Sequence, residues 1–239
     1  MKFIKSNTFA NYIDYQIQMH NLSKINPNIP EPALRRLPWY LAYVKMLKKQ
    51  GESHVSSTGI ANKINVSSSQ IAKDLSYVDI TGKTRVGYNI DQLINVLELF
   101  LGFTSLHDAV LFGVGSLGAA LLADSGLEQY GLKIIAGFDI NQQIIGKRIN
   151  DIPVYHSDTF RSMNAELNSE IGILTVPAEV AQETADFLID CGIHAIWNFT
   201  PFRVSVPDDI VLQNTSIYAH LAVMFNRLKE KEDQLKGKA

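Results

Sequence analysis

The chain has 239 residues, 46% of them hydrophobic, and a formal charge of −2, which is enough chain for two compact domains of roughly 100–150 residues each. No run approaches the ~18 consecutive apolar residues of a membrane span, and Met1-Lys-Phe-Ile-Lys-Ser-Asn-Thr8 lacks the apolar core of a secretory signal. One cysteine permits no intrachain disulfide, so a reducing cytoplasm is the expected compartment.

Charge divides along the chain. Residues 1–106 carry 12 Lys/Arg against 7 Asp/Glu, and residues 107–239 carry 10 against 17. A basic amino-terminal half suits a polyanionic partner, and the acidic half suits another task. Scattered surface charge is the simpler alternative.

Residues 1–29 are polar, rich in Asn and without a clear period, and read as an extension. A helix is expected from about residue 32 to residue 49, with Leu34, Leu37, Leu41 and Val44 on one face and Pro38 as an early-turn residue or a kink. A short helix over 56–64, the turn Asn65-Val66 and a second helix over 67–77 follow, each helix opening on hydroxyl residues that cap backbone N–H groups. Two short helices so briefly joined form a helix-turn-helix. Residues 79–90 read as two short strands around a Gly/Lys/Arg tip, a wing, which completes a winged helix-turn-helix domain over 30–106.

On duplex DNA, Ser67, Ser68 and Ser69 would stand at the amino end of the reading helix, Gln70 and Lys73 one turn further in, and Tyr77 at its close. Lys83 and Arg85 on the wing would reach a backbone or the minor groove. Capping serines and solvated lysines on a small helical domain are the bland alternative.

From about Asp108 strands and helices alternate. Strands are expected at 109–112, 132–138, 153–155, 171–176, 195–199 and 209–212, with helices at 116–123, 157–167 and 178–190. That alternation is a Rossmann-type, doubly wound parallel α/β sheet over 107–214. Its first strand runs into Gly113-Val-Gly-Ser-Leu-Gly118, a G-x-G-x-x-G at the head of a helix, and Asp139 lies 21 residues beyond Gly118 at the end of the second strand. Gly113 permits the tight turn, Gly115 lets backbone approach a pyrophosphate, and Gly118 lets helix and strand pack closely. The carboxylate at 139 accepts from an adenosine ribose and repels a 2′-phosphate, so NAD(H) is favoured over NADP(H).

The dinucleotide site is assigned to Gly113, Val114, Gly115, Ser116, Leu117, Gly118, Asp139 and Ile140, together with Thr175, Val176, Pro177, Asn198 and Phe199 at other strand ends. For Pro177 and Pro201 an ordinary turn role is as good a reading. Cys191 reads as a small apolar residue near a helix end, with a redox-sensing thiol as the alternative. The last segment, 216–236, is a helix with Ile217, Leu221, Met224, Phe225 and Leu228 apolar, within a carboxyl-terminal piece at 215–239 suited to packing on a partner subunit. No catalytic or metal-ligating set is assigned.

These residues bear a resemblance. Through Arg36-Leu-Pro-Trp-Tyr-Leu41, Ser69-Gln-Ile-Ala-Lys-Asp-Leu-Ser-Tyr77, Val86-Gly-Tyr88, Gly113–Gly118, Phe138-Asp139, Leu174-Thr-Val-Pro-Ala178 and Asn198-Phe199, the chain from about residue 30 to residue 227 resembles Rex, the bacterial redox-sensing transcriptional repressors. The resemblance implies a homodimer of winged-helix and Rossmann domains, with the carboxyl-terminal helix exchanged between subunits. It further implies binding to a palindromic operator when NADH is scarce and release when NADH closes the dimer.

Three positions depart from the family's usual pattern. An arginine after the Tyr-Leu of the first helix, a tyrosine after Leu-Ala-Asp and an aspartate ahead of the last helix are replaced by Ala42, Ser125 and Ser216. The family's NADH response relies on them, so a weakened response or another nucleotide ligand is the alternative expectation. The wing has Thr84-Arg85 where Arg-Gly is usual, and Val78-Asp-Ile80 replaces a Phe-Gly-containing turn. A small NAD-dependent oxidoreductase is the competing class. Against it, none of the nine tyrosines has a lysine four residues on.

Overall fold

The structure, a computed structural model, describes residues 29–236; all but Ile29 of the expected extension over 1–29, and the last three residues of the tail, lie outside the described residues. The chain divides into two compact units between Thr104 and Ser105.

In the first unit the expected single helix is two, α1 (Glu31–Leu34) and α2 (Leu37–Lys49). Pro38 is the cause: it lacks an N–H and is tolerated only in a first turn, so the helix restarts at Leu37. Leu34 consequently stays 39% exposed, while Leu37, Tyr40, Leu41 and Val44 are buried. After β1 (His54–Val55) comes α3 (Ser57–Ile64), capped by Ser56 Oγ accepting from Gly59 N at 2.9 Å. Asn65 ends α3 in the left-handed region at φ 54°, and α4 (Ser68–Ser76) begins with Ser67 Oγ accepting from Gln70 N at 3.2 Å. Ile60, Ile71 and Leu75 turn into a core shared with α5 (Ile90–Phe100), which packs along α2.

The wing differs from the expected strand pair. Asp79 adopts φ 54°, which stops an extended run, and β2 (Tyr88–Asn89) pairs antiparallel with β1 instead. Only a bridge closes the tip, with Lys83 N donating to Gly87 O at 2.9 Å and Gly87 N donating to Lys83 O at 2.8 Å. Gly87, at φ +91°, is required there because a Cβ would stand 2.4 Å from the Val55 carbonyl oxygen.

The second unit holds a seven-stranded sheet in the order β5-β6-β4-β3-β7-β8-β9. Its strands are β3 (His107–Phe112), β4 (Leu132–Asp139), β5 (Arg148–Ile149), β6 (Ile152–His156), β7 (Ile171–Leu174), β8 (Ala195–Asn198) and β9 (Val211–Asn214). All neighbours are parallel except β5 and β6. Apart from the β5 hairpin arm, this is the doubly wound dinucleotide order, with the reversal of direction between β3 and β7.

Helices α6 (Ser116–Ala123), α7 (Phe160–Leu167) and α8 (Ala181–Asp190) connect the strands. α7 and α8 start later than expected because a 3₁₀ turn precedes each, at Ser157–Thr159 and Ala178–Val180. β9 begins two residues later than expected because Ile210 N closes a turn onto Pro207 O at 3.0 Å. β5 is an addition to the expected strands; Asn150 and Asp151, at φ 49° and 63°, form its two-residue hairpin turn.

Stacked Phe112 and Phe138, with centroids 4.9 Å apart, and edge-on Phe160 fill the core on one side of the sheet. Cys191 follows α8, where burial pushes its thiol up. α9 (Ile217–Lys236) has no buried residue, and its apolar side chains are exposed. Among the described residues no helix is long and apolar enough to cross a membrane.

Candidate nucleotide crevice and nucleic-acid interface

Strand register assembles the crevice. Phe112 lies opposite both Phe138 and Leu174, so Gly113, Asp139 and Thr175 emerge together at the carboxyl edge where the sheet reverses direction. Gly113 turns at φ +95°, and a Cβ on it would stand 2.7 Å from the Thr175 carbonyl carbon. Thr175 locks that approach, its hydroxyl donating to Gly113 O at 2.7 Å and to Phe112 O at 3.0 Å. A Cβ on Gly118 would stand 2.1 Å from Gly113 O.

Gly115 is different: a Cβ there would meet nothing within 4 Å. It caps α6 without a side-chain bond, and the first N–H groups of a helix have no partner within it. Ser116 is exposed and Leu117 half-buried in that first turn. Open space, free N–H groups and the positive end of a helix dipole make an anion cradle.

Asp139 stands beside it. Its Oδ2 accepts from Val114 N at 2.6 Å and its Oδ1 from Asn141 N at 2.8 Å, leaving further lone pairs on both oxygens. A cleft of about 360 Å³ adjoins these groups. Gly113, Asp139, Ile140, Val176 and Pro177 of the expected set line it, joined by Phe112, Ser157, Asp158, Val180, Glu183, Thr184 and Phe187. Ile140 is 74% exposed there, an apolar side chain with room for a flat partner.

Asn198 and Phe199 do not line this cleft. The Asn198 amide is spent locally, donating to Phe202 O at 2.7 Å and Asn214 Oδ1 at 2.8 Å and accepting from Thr200 N at 2.9 Å. Phe199 packs on Trp197, with centroids 4.5 Å apart.

In the first unit, Ser67, Ser69 and Lys73 are exposed and Ser68 and Gln70 half-buried at the amino half of α4. Tyr77 caps the other end of the nine-residue helix, ~13 Å away at 1.5 Å per residue. Lys83 and Arg85 are exposed at the wing tip, Arg85 in the left-handed region at φ 66°.

Behind α4 lies a group to which motif and spacing assign no role. Asp74 is fully buried. It accepts from Arg36 Nε at 2.6 Å and Nη2 at 2.8 Å, from Tyr40 Oη at 2.6 Å and from Gln70 Nε2 at 2.8 Å. Burial alone would raise its pKa, but these bonds and the Arg36 charge hold it below the usual carboxylate range. Tyr40 is pushed up by burial and by Asp74, and Arg36 is raised by its bond to Asp74. A signal exists in the sequence: Ile71, Asp74, Leu75 and Val78 share helical spacing, and a carboxylate on an apolar stripe requires a buried partner.

Two family models match the chain: "Putative DNA-binding protein N-terminus" over residues 28–76 and "CoA binding domain" over residues 104–202. The redox-sensing transcriptional repressor Rex of Bacteroides thetaiotaomicron is 62% identical, covering 85% of this chain and 93% of that protein. The crystal structure of RSP in complex with β-NAD+ and operator DNA is 35% identical with a TM-score of 0.81, covering 90% of this chain and 100% of that one. The complex of RSP with β-NADH, also 35% identical, gives a TM-score of 0.78 over 88% of this chain and 99% of that one.

Proposed function

Because the chain belongs to the Rex family of redox-sensing transcriptional repressors, we propose that it holds NAD(H) in the Gly113–Gly118 crevice and operator DNA on α4 and the wing. The observation that carries the nucleotide half is the contrast within one loop. Gly113 and Gly118 are filled by backbone and Thr175, whereas Gly115 faces open space at an uncapped helix start. The N–H groups of Gly115, Ser116 and Leu117 hold the pyrophosphate, and Asp139, steadied by Val114 and Asn141, accepts from ribose hydroxyls. Ile140, Val176 and Pro177 wall the cleft. Asn198 and Phe199 act from behind, as supports of the loop after β8. The bound nicotinamide supplies the redox signal, since its oxidised and reduced rings differ in charge.

Ser67, Ser68, Ser69, Gln70, Lys73 and Tyr77 face the duplex from α4, and Lys83 and Arg85 from the wing. Residues 30–106 serve as the DNA-binding domain, 107–214 as the sensor, and 215–239 as the dimerisation segment. The exposed apolar side chains of α9 pair two copies, which matches a palindromic operator. The cytoplasm is the compartment where such a repressor meets both its ligands.

The response to NADH is weak. A ligand shifts a two-state dimer only by its differential affinity for the two states. Ala42 and Ser125 are exposed and carry no charge or phenol, and Ser216, whose Oγ accepts from Ala219 N at 3.1 Å, carries no charge either.

The test is operator binding with and without saturating NADH, alongside calorimetry. We expect NADH to bind and to shift operator affinity by less than about tenfold, or ~1.4 kcal/mol. A larger shift overturns the weak-response reading, and absence of NADH and NAD+ binding overturns the nucleotide assignment. Asp139→Ala should lower NAD(H) affinity and Gly115→Val should abolish it, both leaving operator binding intact.

A further inference from the structure

The buried group behind α4 constrains the one amide that faces outward from it. A carboxylate beside a guanidinium fork is an acceptor only. Gln70 therefore meets Asp74 with Nε2, at 2.8 Å, and its amide has one sense. Its Oε1 accepts from no group among the described residues, and none of their side-chain polar atoms is both buried and unpartnered. That oxygen is thus open to solvent, one turn into α4.

We infer that Arg36, Tyr40 and Asp74 are positioning residues for base reading: they fix the Gln70 amide so that α4 presents an acceptor oxygen to the major groove. Its counterpart is the exocyclic amino group of adenine or cytosine, the amino donors on base edges there. Released from Asp74, the amide rotates freely and donates through Nε2 to a guanine or thymine oxygen equally well. Arg36 and Tyr40 act through Asp74: Arg36 keeps it ionised by its two bonds, and Tyr40 donates to the same Oδ2 that Arg36 Nε meets, so that Oδ1 accepts from Arg36 Nη2 and Gln70. This inference rests on α4 being the base-reading helix.

The experiment begins with selection of duplexes from a random-sequence pool by the full chain. The selected duplex is then resynthesised with single adenines or cytosines lacking the exocyclic amino group, and affinities are read by anisotropy. For the unsubstituted protein, deletion at one symmetric pair of positions should weaken binding about tenfold. Gln70→Ala should make that deletion neutral. Tyr40→Phe keeps the ring and its packing; it should shrink the penalty severalfold at the same positions, and do nothing further in the Gln70→Ala background. Thermal unfolding of each variant accompanies the titrations.

A penalty that persists in Gln70→Ala overturns the proposal. So does Tyr40→Phe weakening intact and amino-deleted duplexes equally, which is the mark of a merely structural tie. If the unsubstituted protein selects no sequence at all, the DNA-reading assignment of α4 fails first.

Discussion

Gly118 lies so close to Gly113 that a Cβ on the first would stand 2.1 Å from the carbonyl oxygen of the second. The loop and α6 are therefore fitted backbone to backbone, and no side-chain rearrangement can relieve a methyl group there. Gly118→Ala should destabilise the second unit by about 1–3 kcal/mol, the usual range for overpacking. Gly115→Ala should leave the unfolding midpoint unchanged and lower NAD(H) affinity about tenfold, or ~1.4 kcal/mol. Thermal unfolding and calorimetry on the two variants separate the roles; equal stability losses would refute the distinction.

The wing predicts a salt effect. Every phosphate that a cation neutralises adds ~0.9 to the steepness of log K against log salt, so Lys83→Ala with Arg85→Ala, which removes four cations from the two wings of a homodimer, should flatten the operator-binding slope by about 3.6. Arg85→Gly should divide stability from binding. It relieves a left-handed non-glycine residue, worth ~1 kcal/mol, and removes the cation. A raised melting temperature with a shallower salt slope is the expected result.

Acid should weaken the first unit through Asp74. An unfolded aspartate ionises near ~3.9, and the folded Asp74 carboxyl sits lower because Arg36, Tyr40 and Gln70 bond its charged form against the opposing effect of burial. The folded state thus takes up a proton less readily than the unfolded chain. Stability from the ionised group is complete above the unfolded value and is lost as pH falls through the folded one. Asp74→Asn should cost about 3 kcal/mol at pH ~6, and the gap to the unsubstituted protein should close as pH drops below ~4. Denaturant midpoints across that range decide it, and a constant gap would exclude the linkage.

α9 should be the dimer contact. Leu221 and Leu228, 36% and 55% exposed, lie seven residues apart, two turns along one side of a helix that has no buried side chain among the described residues. Leu221→Glu with Leu228→Glu should convert a homodimer to a monomer in sedimentation velocity. A persistent dimer would assign the contact elsewhere.

Much of this was legible from spacing. The helix-turn-helix boundaries follow from Ser56, Asn65 and Ser67, whose capping chemistry is local. The crevice follows from three glycines and an aspartate whose spacing is set by one strand, one helix and the next strand. What was not legible depended on partners distant in sequence. Asn198 looked available but is consumed by Asn214 and the turn at Phe202. The wing's second strand pairs with His54–Val55 rather than with its neighbour, a choice made by the left-handed Asp79. Asp74 needed Arg36, 38 residues away, before its burial made sense.

Cys191 bears on what this sensor hears. Its thiol is the only one in the chain, and burial pushes it up despite the nearby Arg161 charge, so at neutral pH the sulfur is protonated and a poor nucleophile. Little thiolate is present to attack a peroxide or a disulfide. Packed against the core behind the sheet, Cys191 should therefore react with peroxide no faster than a free cysteine, a rate that labelling of the surviving thiol measures.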